Sequence, residues 1–250
     1  MLVYRLIILV YREGRRTIVR ITRFGHCIQI TFFPGVFPVN CYLVEEKDGA
    51  TLIDAALPSS ANAIVKVSGS LGLRITRILL THGHSDHIGA LDGLHKSLPE
   101  AQVMISERDS RLLEGDTSVD KQEPQTKIKG GIRSCQTRPT HYLKQGERIG
   151  NLEVIWSPGH TPGHVAFLDV RDKTLLAGDA FQIQGGIAVS GTMRPFFPFP
   201  ALATWHKATA VESARRLTDL NPTQLAVGHG NILTNPRDAM NHAIKKAEQH

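Results

Sequence analysis

Cysteine is scarce in this sequence: 250 residues contain three, Cys27, Cys41 and Cys135, far apart and odd in number. None forms a Cys-x-x-Cys or Cys-His zinc spacing, so neither a disulfide framework nor a thiolate zinc site is expected. Isolated thiols of this kind suit a reducing cytosol, and a cytoplasmic protein is the expectation. Long apolar runs are lacking as well. No stretch of about 18 apolar residues occurs, so no membrane-spanning helix is expected. The apolar segment 2–11 is interrupted by Arg5, with no basic region before it and no small-residue cleavage site after it. It reads as one arm of a hairpin with 17–21 across Arg12-Glu13-Gly14-Arg15, or as an extension that packs poorly. Residues 1–20 are set apart on that ground. Repeats of solenoid period and linker-like composition shifts are also missing, and residues 21–250 read as one domain.

What is present is ordinary globular material, 41% hydrophobic and 21% charged, with a net charge of +6. The basic residues are scattered, the densest group being Arg12, Arg15, Arg16, Arg20 and Arg23. A solvated basic face accounts for them. A nucleic-acid partner is compatible with the charge but not favoured by its distribution, and a small-molecule substrate is the expected partner.

Apolar strands alternate with helix patterns along the chain. Residues 40–44 and 51–54 read as strands joined at Lys47-Asp48-Gly49. A helix follows from Pro58-Ser59-Ser60 to about Val67 with a serine cap. A strand at 74–80 leads to a helix from Asp86 to Leu98. Another strand, 101–105, is followed by a helix to Leu113 that Ser106 caps. From Glu114 to Lys144 the pattern is polar and irregular, long enough for a functional loop or a lid. Strands return at 152–156, 164–170 and 174–177. The segment Phe181 to Pro200 is Gly-rich and then aromatic. A helix at 204–220, a strand at 224–227 and a helix opened by Asn235-Pro236 complete the chain.

The most informative stretch is Ile78-Leu79-Leu80-Thr81-His82-Gly83-His84-Ser85-Asp86-His87. His82 and His84 are two apart, so in an extended segment leaving a strand both rings point to one side. Gly83 lets the backbone bend between them. Imidazole nitrogen and carboxylate oxygen together suit zinc and its first-row neighbours. Three further strand ends repeat one form, an apolar run, a glycine and then a ligand-type residue. These are His160 in Pro158-Gly159-His160-Thr161-Pro162-Gly163-His164, Asp179 after Gly178, and His229 between Gly228 and Gly230. Singly each is a common turn. Together they indicate a metal site.

His-x-His-x-Asp-His followed by the His of HTPGH, the Asp of GD and the His of GHG resembles the metallo-β-lactamase fold superfamily, from about Ile21 to the last helix. The resemblance implies an α+β fold, an αββα sandwich of two mixed sheets with helices outside. It implies that His82, His84 and His160 hold one metal, that Asp86, His87 and His229 hold the other, and that Asp179 bridges them. Asp54 matches an early strand-end aspartate expected to orient a ligand imidazole. His164 matches a histidine the family usually has there, and because a strand follows it we read it as a buried, hydrogen-bonded supporting residue. Two such ions lower the pKa of a shared water, which attacks an electrophilic carbonyl or phosphoryl group as a bridging hydroxide. Asp86 is the catalytic candidate for carrying a proton to the leaving group, with pure ligation as its other reading. The histidines His26, His95, His141, His206, His242 and His250 lack ligand-like context and are expected at the surface.

Zinc is favoured, because the related di-iron branch with a flavin domain uses glutamate where this chain has His84. The ligand set also accepts iron or manganese. Among hydrolases of the fold, the glyoxalase II branch carries a C-terminal helical substrate domain, whereas this chain ends soon after His229. The lactonase branch has a tyrosine where Gln182 stands, and true β-lactamases lack the bridging aspartate. The expected activity is hydrolysis of a small ester, thioester or lactone. A phosphodiesterase or nuclease is the enzyme alternative, resting on Lys121, Lys127, Lys129, Arg133 and Arg138, and a metal-dependent binding or sensor module is the non-enzyme one. Phe196, Phe197, Phe199 and Trp205 are expected either to line an apolar pocket near the metals or to pack their loop onto its own helix.

Overall fold

Alternation of apolar residues along the strands decides the architecture, since each strand offers one apolar face to a partner sheet and another to a helix. The computed structural model describes residues 4–12 and 15–249, with side chains described from Ile18 onward. In the first sheet eight strands lie side by side in chain order. They are β1 (Tyr4–Arg12), β2 (Arg15–Phe24), β3 (Cys27–Phe32), β4 (Val39–Glu46), β5 (Gly49–Ile53), β6 (Ile75–Leu79), β7 (Gln102–Ser106) and β8 (His141–Leu143). The first five pair antiparallel and the last four parallel. β2 runs through residue 20, so β1 is continuous with this sheet; Glu13 and Gly14 of the expected turn, and Leu2, Val3 and His250, lie outside the described residues.

The second sheet is built from β9 (Arg148–Ile149), β10 (Leu152–Trp156), β11 (Val165–Asp169), β12 (Thr174–Leu176), β15 (Gln224–Ala226) and β16 (Leu233–Thr234), with a small ribbon β13 (Phe181–Gln182) and β14 (Ala188–Val189) beside it. Between the sheets lies a core of Tyr42, Ile53, Leu79 and Met104 against Leu152, Val154, Phe167 and Leu176. Ile78 and Val103, one residue out of phase, face helices α1 (Ala61–Ser70) and α3 (Leu91–Ser97) through Ile64, Val67 and Leu91. On the far side, Leu175 and Leu225 meet α6 (Lys207–Asp219) and α7 (Arg237–Glu248) through Ala214, Leu217, Met240 and Ile244. This is the αββα layering, helix, sheet, sheet, helix. The short helices α2 (Ser85–Ile88), α4 (Glu107–Leu113) and α5 (Phe199–Ala203) sit at the loop end of the sandwich.

Each sheet contains a parallel pair that matters most, β5 with β6 and β12 with β15. Parallel neighbours end on the same side, so residues just past their ends are brought together. Asp54 follows β5 directly, and His82, Asp179 and His229 each come three residues after β6, β12 and β15.

Three local expectations are corrected. Ser60 is the N-cap of α1 by position, but its backbone is already helical and its hydroxyl makes no cap bond. The single helix expected from Asp86 to Leu98 is broken into α2 and α3, because the Gly89 N–H donates to Ala56 O at 2.8 Å. The chain from Pro58 crosses so close that a Cβ at Gly89 would lie 2.6 Å from its ring. The helix expected at 204–220 begins at Lys207, where the His206 side chain caps it by accepting from the Thr209 N–H. Ser106, by contrast, caps α4 as expected, accepting from the Asp109 N–H at 3.1 Å.

Candidate metal centre

Four chain segments deliver ligand-type atoms to one place. His84 leaves β6 extended and is the N-cap of α2, so His82 and His84 stand edge to face with ring centroids 4.8 Å apart. The first turn of α2 then presents Asp86 and His87. Within this region three overlapping groups have donor atoms within 4.8 Å of one another: His82, His84 and His160; His82, His87 and Asp179; Asp86, His87 and His229. Asp179 touches both ends of the cluster, with Oδ1 3.5 Å from His87 Nε2, and Oδ2 3.5 Å from His160 Nε2 and 3.2 Å from His229 Nε2. Asp86 Oδ2 lies 3.4 Å from His229 Nε2.

The outward nitrogen of each ring is occupied by the protein. His82 Nδ1 lies 2.9 Å from Thr81 Oγ1, and His87 Nδ1 donates to Asp54 Oδ2 at 2.8 Å. His84 Nε2 donates to Lys129 O at 2.8 Å, and His229 Nδ1 to Pro38 O at 2.8 Å. His160 Nδ1 sits 3.2 Å from both Thr204 Oγ1 and Ser190 Oγ. Each contact occupies one ring nitrogen and turns the other towards the centre, where His84 Nδ1 and His160 Nε2 lie 2.9 Å apart. There, His82 Nε2, His87 Nε2 and Asp179 Oδ1 are buried without any hydrogen-bond partner among the described residues. Buried polar atoms are normally paired, and unpaired nitrogen and carboxylate oxygen converging on one point are the donor set a divalent cation satisfies. The residues fit a pair of divalent metals.

Electrostatics in the metal-free protein follow from burial and crowding. Burial, reinforced by neighbouring imidazoles, holds His82 and His160 well below the ordinary histidine value, and burial also lowers His84. For His229 burial works against protonation, but Asp179 and Asp86 outweigh it and push the ring up to about 10. His87 is raised in the same way, burial opposing and Asp179 and Asp54 prevailing. Asp179 and Asp86 are both lowered despite burial, Asp179 by His229 and His87 and Asp86 by its contact with His229.

Asp54 accepts from the Thr81 N–H at 2.8 Å and from its hydroxyl as well as from His87. It does so from the left-handed region, φ 61°, as does Ala56 at 51°. His164 is buried, its Nδ1 2.9 Å from Ser157 Oγ and its Nε2 accepting the Asp179 N–H at 3.1 Å, so both ring nitrogens are used. Beyond it lies a cavity of about 530 Å³ lined by Tyr142 and Trp156, which none of the seven ligand-type residues enters. Of the histidines expected at the surface, His26, His95 and His242 are exposed. His141 is half-buried against Glu147 and His206 is half-buried at the start of α6.

Sequence reasoning missed Asp109. It is fully buried and accepts from Gly83 N at 3.0 Å, Thr161 Oγ1 at 2.6 Å and Gly163 N at 2.7 Å. One carboxylate thereby ties the loop carrying His82 and His84 to the loop carrying His160. Its only sequence signal is its place three residues after the cap Ser106. The irregular segment 114–144 also supports the ligand loops. Its Lys129 carbonyl holds His84, Gly131 O accepts from Ser85 N at 2.8 Å, and Thr126 O accepts from Trp205 Nε1 at 2.9 Å. A Cβ at Gly130 would lie 2.4 Å from His84 Nε2.

A cavity of about 410 Å³ opens onto the cluster. Of the four aromatic residues expected around it, Phe199 alone lines it, joined by Phe37, which the sequence did not single out. Phe197 is buried against His229, and Phe196 is 90% exposed and does not line the cavity. Trp205 packs with Leu112 and Ile128 under the 114–144 segment.

Residues 34–229 match the family model of the metallo-beta-lactamase superfamily. An uncharacterized protein of Bacillus subtilis (strain 168), YobT, is 56% identical over 231 residues, which is 92% of this chain and 99% of that one. The hydroxyacylglutathione hydrolase GloC of Haemophilus influenzae is 30% identical over 207 residues, 79% of this chain and 88% of that protein. A protein of that name is thus matched over most of its length, which removes chain length as an argument against such enzymes. The crystal structure of TTHA1623 in a di-iron-bound form has a TM-score of 0.61 at 27% identity, covering 81% of this chain and 92% of that one.

Proposed function

The chain belongs to the metallo-beta-lactamase superfamily and is a metal-dependent hydrolase, and from that premise we propose that it hydrolyses a small carboxylic ester, thioester or lactone. In this reading His82, His84 and His160 hold one ion, Asp86, His87 and His229 hold a second, and Asp179 spans them. The observation that carries it is the convergence of ring nitrogens and carboxylate oxygens, three of them without a hydrogen-bond partner among the described residues, next to a cavity of about 410 Å³ that His84, Asp86, His160, Asp179 and His229 line. When bound, such an ion pair supplies a water acidified towards neutral pH and positive charge for the developing oxyanion.

The protein's own groups do the rest. His82, His84 and His160, kept neutral by burial, offer lone pairs without first losing a proton, whereas His87 and His229, which Asp179 favours in the charged form, give one up when an ion binds. Asp54, Lys129 O and Pro38 O hold three of the rings in one orientation, so little rearrangement accompanies turnover. Asp86 is the only one of the seven whose side chain is appreciably exposed, at 26%. It faces the cavity and remains ionised because His229 favours its charged form. It is therefore placed to accept the proton of the attacking water and deliver it to the alkoxide or thiolate as the C–O or C–S bond breaks.

Either zinc or iron suits this donor set; we favour zinc because five of the seven ligand-type residues are imidazoles. The test is elemental analysis of the purified protein together with turnover of ester, thioester, lactone, phosphodiester and β-lactam substrates after loading with zinc, iron(II) or manganese(II). Hydrolysis of acyl substrates that disappears in His82→Ala is expected. Cleavage of phosphodiesters alone would replace this reading with a phosphodiesterase.

A further inference from the structure

Part of the cavity wall is apolar. Phe37, Phe199, Pro200, Leu202 and Ala203 form it, and no lysine or arginine lines the cavity anywhere. Phe37 joins two turns, its ring 5.1 Å from those of both Phe197 and Phe199. Exposed apolar side chains lie next to that junction along the chain. Phe199 and Leu202 are half-exposed, Val36 is 85% exposed and Phe196 90%. Single exposed apolar residues are ordinary, but Val36 and Phe196 adjoin Phe37 and Phe197 in the chain, so exposed apolar side chains cluster next to an apolar cavity wall, a pattern that marks a surface kept for binding.

We propose that the acyl part of the substrate is an uncharged hydrocarbon chain, laid from the cavity along Phe37, Phe199 and Leu202 towards Val36 and Phe196. This rests on the hydrolase reading above and narrows it to medium-chain acyl esters and thioesters. The chemistry favours it on two counts. A carboxylate or hydroxyl on the acyl group would lose water against this wall and find no cation or donor there. Each methylene covered by the wall, by contrast, favours binding. The leaving group then lies on the other side of the carbonyl, towards Gly130 and Gly131, which also line the cavity.

The experiment is a series of p-nitrophenyl esters from acetyl to decanoyl on the metal-loaded protein, with octanoyl and hydroxyacyl thioesters of glutathione compared directly. We expect kcat/KM to rise about two- to fourfold per added methylene up to octanoyl, and the octanoyl thioester to be preferred to the hydroxyacyl one. Phe199→Ala and Leu202→Ala, both at half-exposed positions, should each cut the octanoyl-to-acetyl ratio about tenfold. Independently of turnover, 2-decanone should bind the metal-free protein and 2-butanone should not, by saturation-transfer NMR. Esters hydrolysed with no dependence on chain length, or a preference for the hydroxyacyl thioester, overturn the chain proposal and leave the hydrolase reading standing. No turnover of any acyl substrate in any metal form overturns both.

Discussion

Each imidazole of the centre is held from behind, and loss of that support falls on metal affinity more than on folding. Asp54→Asn keeps the volume and one acceptor oxygen but removes the negative charge behind His87. We expect metal affinity to fall about 10–100-fold, measured by chelator competition, with the circular dichroism spectrum retained. Asp109→Ala is a different kind of change, since it strands three buried donors, Gly83 N, Thr161 Oγ1 and Gly163 N. A loss on the order of 3 kcal/mol in denaturant unfolding is expected, accompanied by weaker metal retention because both ligand loops lose their common anchor. A variant as stable as the parent would contradict that role.

Titration belongs to the same scale. In the metal-free protein His82, His84, His160 and His164 are held below the ordinary histidine value by burial, His164 at about 3. Below about pH 6.5 the unfolded chain binds more protons at these sites than the folded one, so stability falls as acid is added. His229, at about 10, has the opposite sign. Its contribution is complete below about pH 6.5 and is lost as pH climbs through 10. Chelator-treated protein should therefore melt highest near neutrality and at lower temperature at about pH 5 and about pH 10. A midpoint constant over that range would refute the assignment.

At the scale of elements, the strap 114–144 and the tight glycines set the geometry. Gly130 has φ 91° and its missing side chain leaves room for the His84 ring. Gly130→Ala should displace His84 and reduce both metal content and kcat/KM, the latter about tenfold or more, without unfolding the sheets. Gly228 is comparably confined, a Cβ there falling 2.1 Å from Asp179 Oδ1. Gly228 thus serves close approach of backbone to the cluster, whereas a Cβ at Gly159 would meet Ala210 and one at Gly83 would meet Leu112, and the Lys129 carbonyl of the strap orients a ring.

At the scale of the molecule, His82, His84, Asp86 and His87 come from the first sheet and its crossover, whereas His160, Asp179 and His229 come from loops of the second. Metal bound between them cross-links the two halves of the sandwich. Removing it with a chelator should lower the thermal midpoint by about 5–10 °C, since a ligand at a hundredfold excess over its dissociation constant contributes about 2.7 kcal/mol and a domain of this size shifts about 2–4 °C per kcal/mol. Differential scanning calorimetry with and without added zinc checks it. An unchanged midpoint would mean the cluster does not bind across the sheets. Among the described residues no helix is long and apolar enough to cross a membrane.

The ligand-type residues were legible in the sequence because each is adjacent to a strand end, and strand ends, glycines and histidine spacing are local features. The alternation that places Leu79 against the other sheet and Ile78 against a helix is equally local, so the layered fold could be read from it together with the family resemblance. Asp109, Phe37 and the carbonyls of Lys129 and Pro38 carried no such mark. Their importance comes from contacts that exist only once two sheets have packed and distant loops have met, as with the 191 residues separating Pro38 from His229. The same holds for the aromatic cluster. Sequence placed four rings near the cavity, but which of them faces it depends on how two turns wedge against Phe37, and only the tertiary packing of those turns settles that.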